Sequence, residues 1–374
     1  MSDAAPENKT FLNLPMTEAE PSTGKKFALS GLNLEQITEF TKSLGLPNYR
    51  AKQIHTWIYA KGASSFDEMT DLSQEIRQKL SAVATVPCLE IAHLQVSKDG
   101  TRKYLFKLAD GKMVESVLMS FSDRPNLTAC VSSQVGCAVG CTFCATGYLG
   151  FTRNLTSQEI IDQVMSIQRE AGVRIANIVY MGQGEPLLNV EEVIASLHTM
   201  IQSVGIGQRH ITVSTSGIIS GIKRLAKEEL QITLALSLHA PDSETREQIV
   251  PISKKYTMGE LIAALKEYAR ITKRRITIEY VLLAGITDSV EQARQLSELV
   301  RDVPCLINLI PYNPTQLLDG TIPFARPAID TQKRFRHLAQ ASGKTVTIRL
   351  ERGTDIDAAC GQLHNAYQQA KQAN

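Results

Sequence analysis

Three cysteines fall within eight residues, Cys137-Ala138-Val139-Gly140-Cys141-Thr142-Phe143-Cys144, a C-x3-C-x2-C pattern. Thiolates are the natural ligands of iron–sulfur clusters. A four-iron cluster held by three thiolates keeps one iron without a protein ligand, and that iron can bind a small molecule. Gly136, Gly140 and Gly147 around the pattern favour a loop able to wrap an inorganic group. A structural zinc site is the competing reading. It wants four nitrogen or sulfur ligands, so Cys130 or Cys360 would have to supply the fourth. The total of seven cysteines is odd, which argues against a disulfide framework. Cys88 and Cys305 read as small buried hydrophobes.

The elements that must position this loop are legible from periodicity. From about residue 127 the chain alternates extended and helical patterns, with strands expected at 128–133, 176–181, 210–215, 231–237, 275–283 and 305–310. Helices are expected between them at 157–170, 190–203, 217–227, 257–272 and 289–302, followed by a helix at 328–341 and a strand at 344–350. Thr156-Ser157-Gln158-Glu159 is a capping box that opens the first helix, and Ile160, Val164 and Ile167 share one face of it. Repeated βα units predict a parallel sheet, as a partial or open barrel or a doubly wound sheet. Upstream, Asp99-Gly100 and Asp110-Gly111 separate three extended runs and predict an antiparallel unit ending near Phe121. Residues 33–82 carry helical patterns through Leu34, Ile37, Phe40 and Leu44, and through Ile54, Trp57 and Ile58. Residues 1–27 lack periodicity and read as a mobile tail.

In barrels of βα units the chemistry sits at the C-terminal strand ends. Polar groups recur there: Met181-Gly182-Gln183-Gly184-Glu185-Pro186, Ser214-Thr215-Ser216-Gly217, Ser237-Leu238-His239 and Pro311-Tyr312-Asn313-Pro314. Taken singly each is an ordinary strand-to-helix turn. Together they suit a polar cofactor.

Composition sets the outer bounds. The 374 residues are 43% hydrophobic and 21% charged with a formal net charge of +2, values of an ordinary globular chain. No apolar stretch is long enough to span a bilayer, and Met1 to Thr10 lack the features of a signal peptide, so a cytoplasmic protein without membrane contact is expected. Residues 251–275 and 326–352 each hold seven basic against two acidic groups. They read either as solvated helix faces or as a phosphate-binding surface.

The cysteine spacing, with an aromatic before the last cysteine, resembles the radical S-adenosylmethionine (SAM) superfamily. Longer stretches resemble its RlmN-type RNA adenine-C2 methyltransferases: Val114-Glu115-Ser116-Val117, Cys130 to Cys137, Gly150 to Leu155, Met181 to Asn189, Ser214 to Gly217, Ser237 to Pro241, Ile249 to Ile252, Asn308 to Pro314 and Asp355 to Leu363. The resemblance spans about residues 30–368. It implies an α/β fold: a partial (β/α)6 radical SAM barrel over 123–350, a small N-terminal helical domain over 28–88 that grips RNA, a short antiparallel β extension over 89–122, and a C-terminal loop over 351–374. It also implies a [4Fe-4S] cluster on Cys137, Cys141 and Cys144, with SAM bound by Gly184, Glu185, Ser214, the Ser237-Leu238-His239 turn and Asn313. Cys360 resembles the cysteine that carries a methyl group, Cys130 its partner in a transient disulfide, and Glu115 the proton acceptor.

The implied reaction uses two SAM molecules to methylate C2 of adenosine 2503 in 23S rRNA and of adenosine 37 in tRNAs, with an electron-donor protein serving the cluster. A carrier is needed because adenine C2 is not nucleophilic, so direct transfer from SAM fails. The alternative is the Cfr-type enzyme, which methylates C8 of the same rRNA adenosine and shares most of these motifs. Trp57 and Tyr59 are candidates to stack on bases, against core packing for Trp57.

Overall fold

The computed structural model describes residues 26–86, 88–121, 124–317 and 320–363. Of the tail expected over 1–27, residues 1–25 lie outside the described residues, as do Pro87 and the chain beyond 363, whereas Phe27 at its end pairs with Ala84 and so belongs to the folded unit.

Three helices, α1 (Leu34–Ser43), α2 (Asn48–Tyr59) and α3 (Gln74–Val83), make the N-terminal unit. A short parallel bridge between Phe27–Ala28 and Ala84–Thr85 ties its ends together. Helix α1 starts where Asn33 and Gln36 exchange side-chain and backbone hydrogen bonds, a capping box. Ile37, Ile54 and Ile58 are buried as their spacing predicts. Tyr59 is also buried, with its hydroxyl donating to Leu32 O at 2.7 Å, so it is not available to stack on a base. Trp57 is half-buried; its Nε1 donates to Asp71 Oδ1 at 2.6 Å and the Lys61 ammonium lies 3.5 Å from its ring centroid.

The body is one ten-stranded sheet. Its strands are β1 (Glu90–Val96), β2 (Arg102–Lys107), β3 (Met113–Phe121), β4 (Arg124–Cys130), β5 (Asn177–Tyr180), β6 (Ile211–Thr215), β7 (Thr233–Ser237), β8 (Ile276–Leu282), β9 (Cys305–Pro311) and β10 (Val346–Ile348). They lie side by side in chain order. A doubly wound sheet would reverse direction part-way, so that expectation falls and the singly wound, open barrel remains. Strands β4 to β10 are parallel, and β1 to β4 are antiparallel. The antiparallel unit does not stand apart from the barrel, because β4 pairs with β3 on one side (Val117 with Cys130) and with β5 on the other (Cys130 with Val179).

Helices α4 (Ser157–Ala171), α5 (Val190–Thr199), α6 (Ile219–Ala226), α7 (Ser243–Ile249), α8 (Met258–Thr272), α9 (Val290–Leu299) and α10 (Ile329–Ala339) connect these strands. The Thr156–Glu159 capping box opens α4 as expected, and Ile160, Val164 and Ile167 are fully buried. Helix α7 was not foreseen; it is only seven residues long, too short to show a period, and starts at the Asp242 cap. Cys305 is buried as expected, whereas Cys88 is exposed and sits 3.4 Å from Ser166 Oγ where the N-terminal unit meets α4. That correction follows from its place in a connection between two units rather than in either core.

Candidate active site

The ends of β4 to β10 and the segment after β10 enclose a cavity of about 710 Å³. That volume lies in the range of small-molecule and cofactor sites. Cys130, Cys137, Cys141, Cys144, Gly184, Glu185, Ser214, Ser237, His239, Asn313 and Cys360 all line it. Leu238 is fully buried beside the lining, and Glu115 lies behind the wall.

The cysteine loop leaves the body between Gln134–Gly136 and Phe151–Asn154, which pair as an antiparallel ribbon. Cys137 N–H donates to Gly150 O at 2.8 Å and closes the loop base. Thr142 N–H donates to Ile249 O at 3.1 Å and pins the loop to the end of α7. Val139 and Ala145 pack with Ala240, Val250, Leu283 and Tyr312 in a small core of their own. Burial pushes the Cys137 thiol up to about 12 and raises Cys141 and Cys144 as well. Desolvated thiols of this kind become thiolates when a cationic centre supplies the opposite charge.

The turn after β5 approaches the same cavity closely. Gly184 has φ of +101°, and a Cβ there would lie 2.5 Å from Gln134 Cβ, so a side chain is excluded twice over. Glu185 follows. One carboxylate oxygen accepts Leu187 N–H at 2.9 Å and the other accepts Ser216 N–H at 2.6 Å. Burial raises its pKa, and these hydrogen bonds oppose the rise. Ser214 and Ser237 hydroxyls are 3.3 Å apart on adjacent strands.

His239 takes a left-handed conformation (φ 61°), and its Nδ1 accepts Val281 N–H at 3.1 Å. The ring proton of the neutral form therefore sits on Nε2. Burial, with the Arg246 charge nearby, holds His239 down to about 3, so it stays neutral at ordinary pH.

The far side of the cavity gathers Cys130 and Cys360. Cys130 packs with Val117, Ala358 and Leu363, the last two flanking Cys360. Cys360 keeps solvent access at the cavity, although protein surrounds it. Burial raises both thiols, Cys130 to about 12, and Arg349 opposes the rise at each. Arg349 and Glu279 also line the cavity. Glu279 Oε2 accepts from Asn308 Nδ2 at 2.9 Å. Neither residue stood out in the sequence: Glu279 is one carboxylate in an apolar strand, and Arg349 was counted with a basic segment expected at the surface. Glu115 contacts Gln183 Nε2 at 3.5 Å and Lys103 Nζ at 3.8 Å.

Residues 27–86 match the family model described as the ribosomal RNA large subunit methyltransferase N-terminal domain, and residues 131–296 match the radical SAM superfamily. The dual-specificity RNA methyltransferase RlmN of Trichodesmium erythraeum, named as probable, is 46% identical over 90% of this chain and 95% of its own. Its counterpart in Desulforamulus reducens, named in the same way, is 47% identical over 93% of this chain and 98% of its own. The chain belongs to the RlmN family. A radical SAM methyltransferase from Sphaerobacter thermophilus, known from its crystal structure, shares the fold with a TM-score of 0.85 at 44% identity, covering 90% of this chain and 99% of that one.

Radical SAM proteins of the RlmN family use a [4Fe-4S] cluster and SAM. The residues present here fit both groups. Three soft sulfur donors, Cys137, Cys141 and Cys144, line the cavity together. That donor set suits a multi-iron cluster. The adjoining wall offers the glycine turn, two hydroxyls and a neutral imidazole, the mixture a polar, zwitterionic cofactor needs.

Proposed function

We propose that this radical SAM RNA methyltransferase methylates C2 of adenosine 2503 in 23S rRNA and of adenosine 37 in tRNAs. The curated relatives carry dual specificity for RNA in their names. The observation that carries the reading is the presence of Cys130 and Cys360, 230 positions apart in the chain, in the cavity lined by the three clustered cysteines.

In this reading Cys137, Cys141 and Cys144 hold the cluster, while Gly184, Glu185, Ser214, Ser237, Leu238, His239 and Asn313 hold SAM. When bound, these groups supply methyl groups and the one-electron chemistry that activates them. Cys360 gives up its thiol proton and takes a methyl group on sulfur. With the cluster and a second SAM bound, that methyl group would lose a hydrogen atom to the SAM-derived nucleoside, and the remaining methylene carbon would bond to adenine C2, linking RNA to the protein. After the C2 proton leaves, the Cys130 thiolate attacks the Cys360 sulfur. The sulfur–carbon bond breaks, the methylene carbon takes up a proton to become the methyl group, one electron would return to the cluster, and a Cys130–Cys360 disulfide remains for a thiol reductant to open. Glu115 is the proton acceptor of this scheme, and its side chain must turn past Gln183 to reach the cavity. The base has to leave its stack to enter.

The N-terminal unit (28–88) and the exposed Lys254, Lys255, Lys333, Arg334 and Arg336 serve the RNA backbone in this proposal. The antiparallel extension (89–122), the barrel (123–350) and the loop (351–374) complete the organisation. Among the described residues no helix is long and apolar enough to cross a membrane. A cytoplasmic place and an electron-donor protein as partner complete the reading.

RNA from cells lacking the protein, digested and resolved for 2-methyladenosine and 8-methyladenosine, tests it. Loss of 2-methyladenosine, restored by wild type and not by Cys360→Ala, is expected. Loss of 8-methyladenosine instead assigns the C8 reaction, and no change in either overturns RNA methylation.

A further inference from the structure

The antiparallel extension touches the Cys360 loop at three places, and we infer that the β1–β2 hairpin is the anchor that sets the position of Cys360, with Ser97, Asp99 and Lys103 as positioning residues. The inference rests on Cys360 being the methyl carrier.

Several hydrogen bonds join the two segments. Asp99 Oδ2 accepts Gly353 N–H at 3.0 Å, and Asp99 Oδ1 accepts Thr101 N–H at 2.9 Å. Asp355 accepts from Ser97 Oγ at 2.5 Å and from Lys98 N–H at 3.2 Å. Lys103 Nζ donates to Asp357 O at 3.3 Å. Residues 97, 99 and 103 thus hold 355, 353 and 357. Gly353 takes φ of +61° and lies so close to Thr101 that a Cβ would come within 2.9 Å of its methyl, so the backbone seats directly on the hairpin. Asp357 is also left-handed (φ 52°), which turns the chain back toward the cavity.

Beyond Cys360 the loop has a second attachment. Gly361 O accepts Ala145 N–H at 2.7 Å, and Leu363 O accepts Thr146 Oγ1 at 2.6 Å. Cys360 is therefore suspended between the hairpin and the helical turn Ala145–Tyr148 that follows Cys144. Side-chain carboxylates accepting backbone N–H groups are charge-assisted and about twice as strong as neutral hydrogen bonds. Asp99 accordingly is held down to about 2 and Asp355 below its ordinary value, both against their neighbours' charge or burial. The extension so acquires a role beyond adding strands: it holds the segment that leads into Cys360, while the barrel holds the residues that follow it at Ala145, Thr146 and Pro314.

The test uses the full chain with Asp99→Ala, Asp355→Ala and the conservative Asp355→Asn, which keeps an acceptor for Ser97. Hydrogen exchange over 353–363 and the rate of iodoacetamide alkylation at Cys360 are read in cluster-free protein. Both should rise about tenfold in the alanine variants, the population change that loss of one such hydrogen bond produces. Asp355→Asn should recover part of the protection. In reconstituted enzyme kcat should fall while KM for RNA holds. Unchanged exchange and alkylation overturn the anchor, as does a fall in kcat with the loop still protected. Cys360→Ala separates the two readings: if it still methylates RNA, the carrier assignment fails whatever the exchange data show.

Discussion

The Glu279 carboxylate on β8 and the Arg349 guanidinium, one residue past the end of β10, both line the cavity and act on each other electrostatically across β9. Asn308 on β9 donates to Glu279 and faces Thr347 through its Oδ1 at 3.1 Å. Burial works against the charge on Arg349, and the Glu279 carboxylate favours it.

Arg349→Met leaves the buried Glu279 carboxylate without a nearby positive charge and is expected to destabilise cluster-free protein by about 1–2 kcal/mol. Adding Glu279→Gln should recover much of that loss. Denaturant unfolding of the two single variants and the double variant measures the coupling, and simple additivity would show that the charges act independently.

Cluster loading should separate the cysteines by role. Replacing Cys137, Cys141 or Cys144 with Ala is expected to abolish iron retention after anaerobic reconstitution, because in the proposed site three thiolates are the protein's whole contribution. Cys130→Ala and Cys360→Ala should bind iron as wild type does while failing to methylate RNA. Iron and sulfide analysis beside the absorption spectrum reads this out. Zinc retained with no iron, and lost when Cys130 or Cys360 is replaced, would instead favour a four-ligand structural site.

Two buried groups should tilt stability with pH in opposite directions. Folded His239 stays neutral down to about 3, whereas an unfolded histidine takes a proton near 6.5, so between those values the unfolded chain binds more protons and stability falls on acidification. His239→Asn, which tolerates the positive φ, should gain on wild type as pH drops from 6.5 to 4. Folded Asp162, desolvated in α4, keeps its proton up to about 7 while an unfolded aspartate loses it near 3.8. Asp162→Asn should therefore gain on wild type as pH climbs from 4 to 7. Each slope is bounded by about 1.4 kcal/mol per pH unit. Unfolding free energies across pH 4–7 check both signs.

Gly184→Ala forces a Cβ onto Gln134 in a backbone conformation that L residues avoid. A loss of about 2 kcal/mol or more is expected, together with weakened SAM binding. Thermal unfolding and equilibrium dialysis against SAM test it; wild-type values for both would mean the turn is softer than its geometry states.

Much of this site was legible because its signals are local. Ligand spacing from Cys137 to Cys144 and the turn from Gly182 to Glu185 are contiguous in sequence and need no knowledge of packing. The strands from Asn177 to Pro311 announced themselves by apolar runs of the right length. Glu279 and Arg349 were not legible, because their meaning lies in register: Glu279, Asn308 and Thr347 align across three strands only after the sheet forms. Arg349 looked like one more surface cation among Lys333, Arg334 and Arg336, which are indeed exposed. Glu115 was found by resemblance alone, and its pairing with Lys103 is invisible at the level of sequence.

The hydrogen bond between Ala145 and Gly361 joins the residue after Cys144 to the residue after Cys360. The two sulfurs thus ride on one splint. A displacement of the cysteine loop that kept this bond would carry the other sulfur with it. In the proposed reaction the cluster held by the first loop and the methyl carrier on the second would thereby keep their mutual alignment.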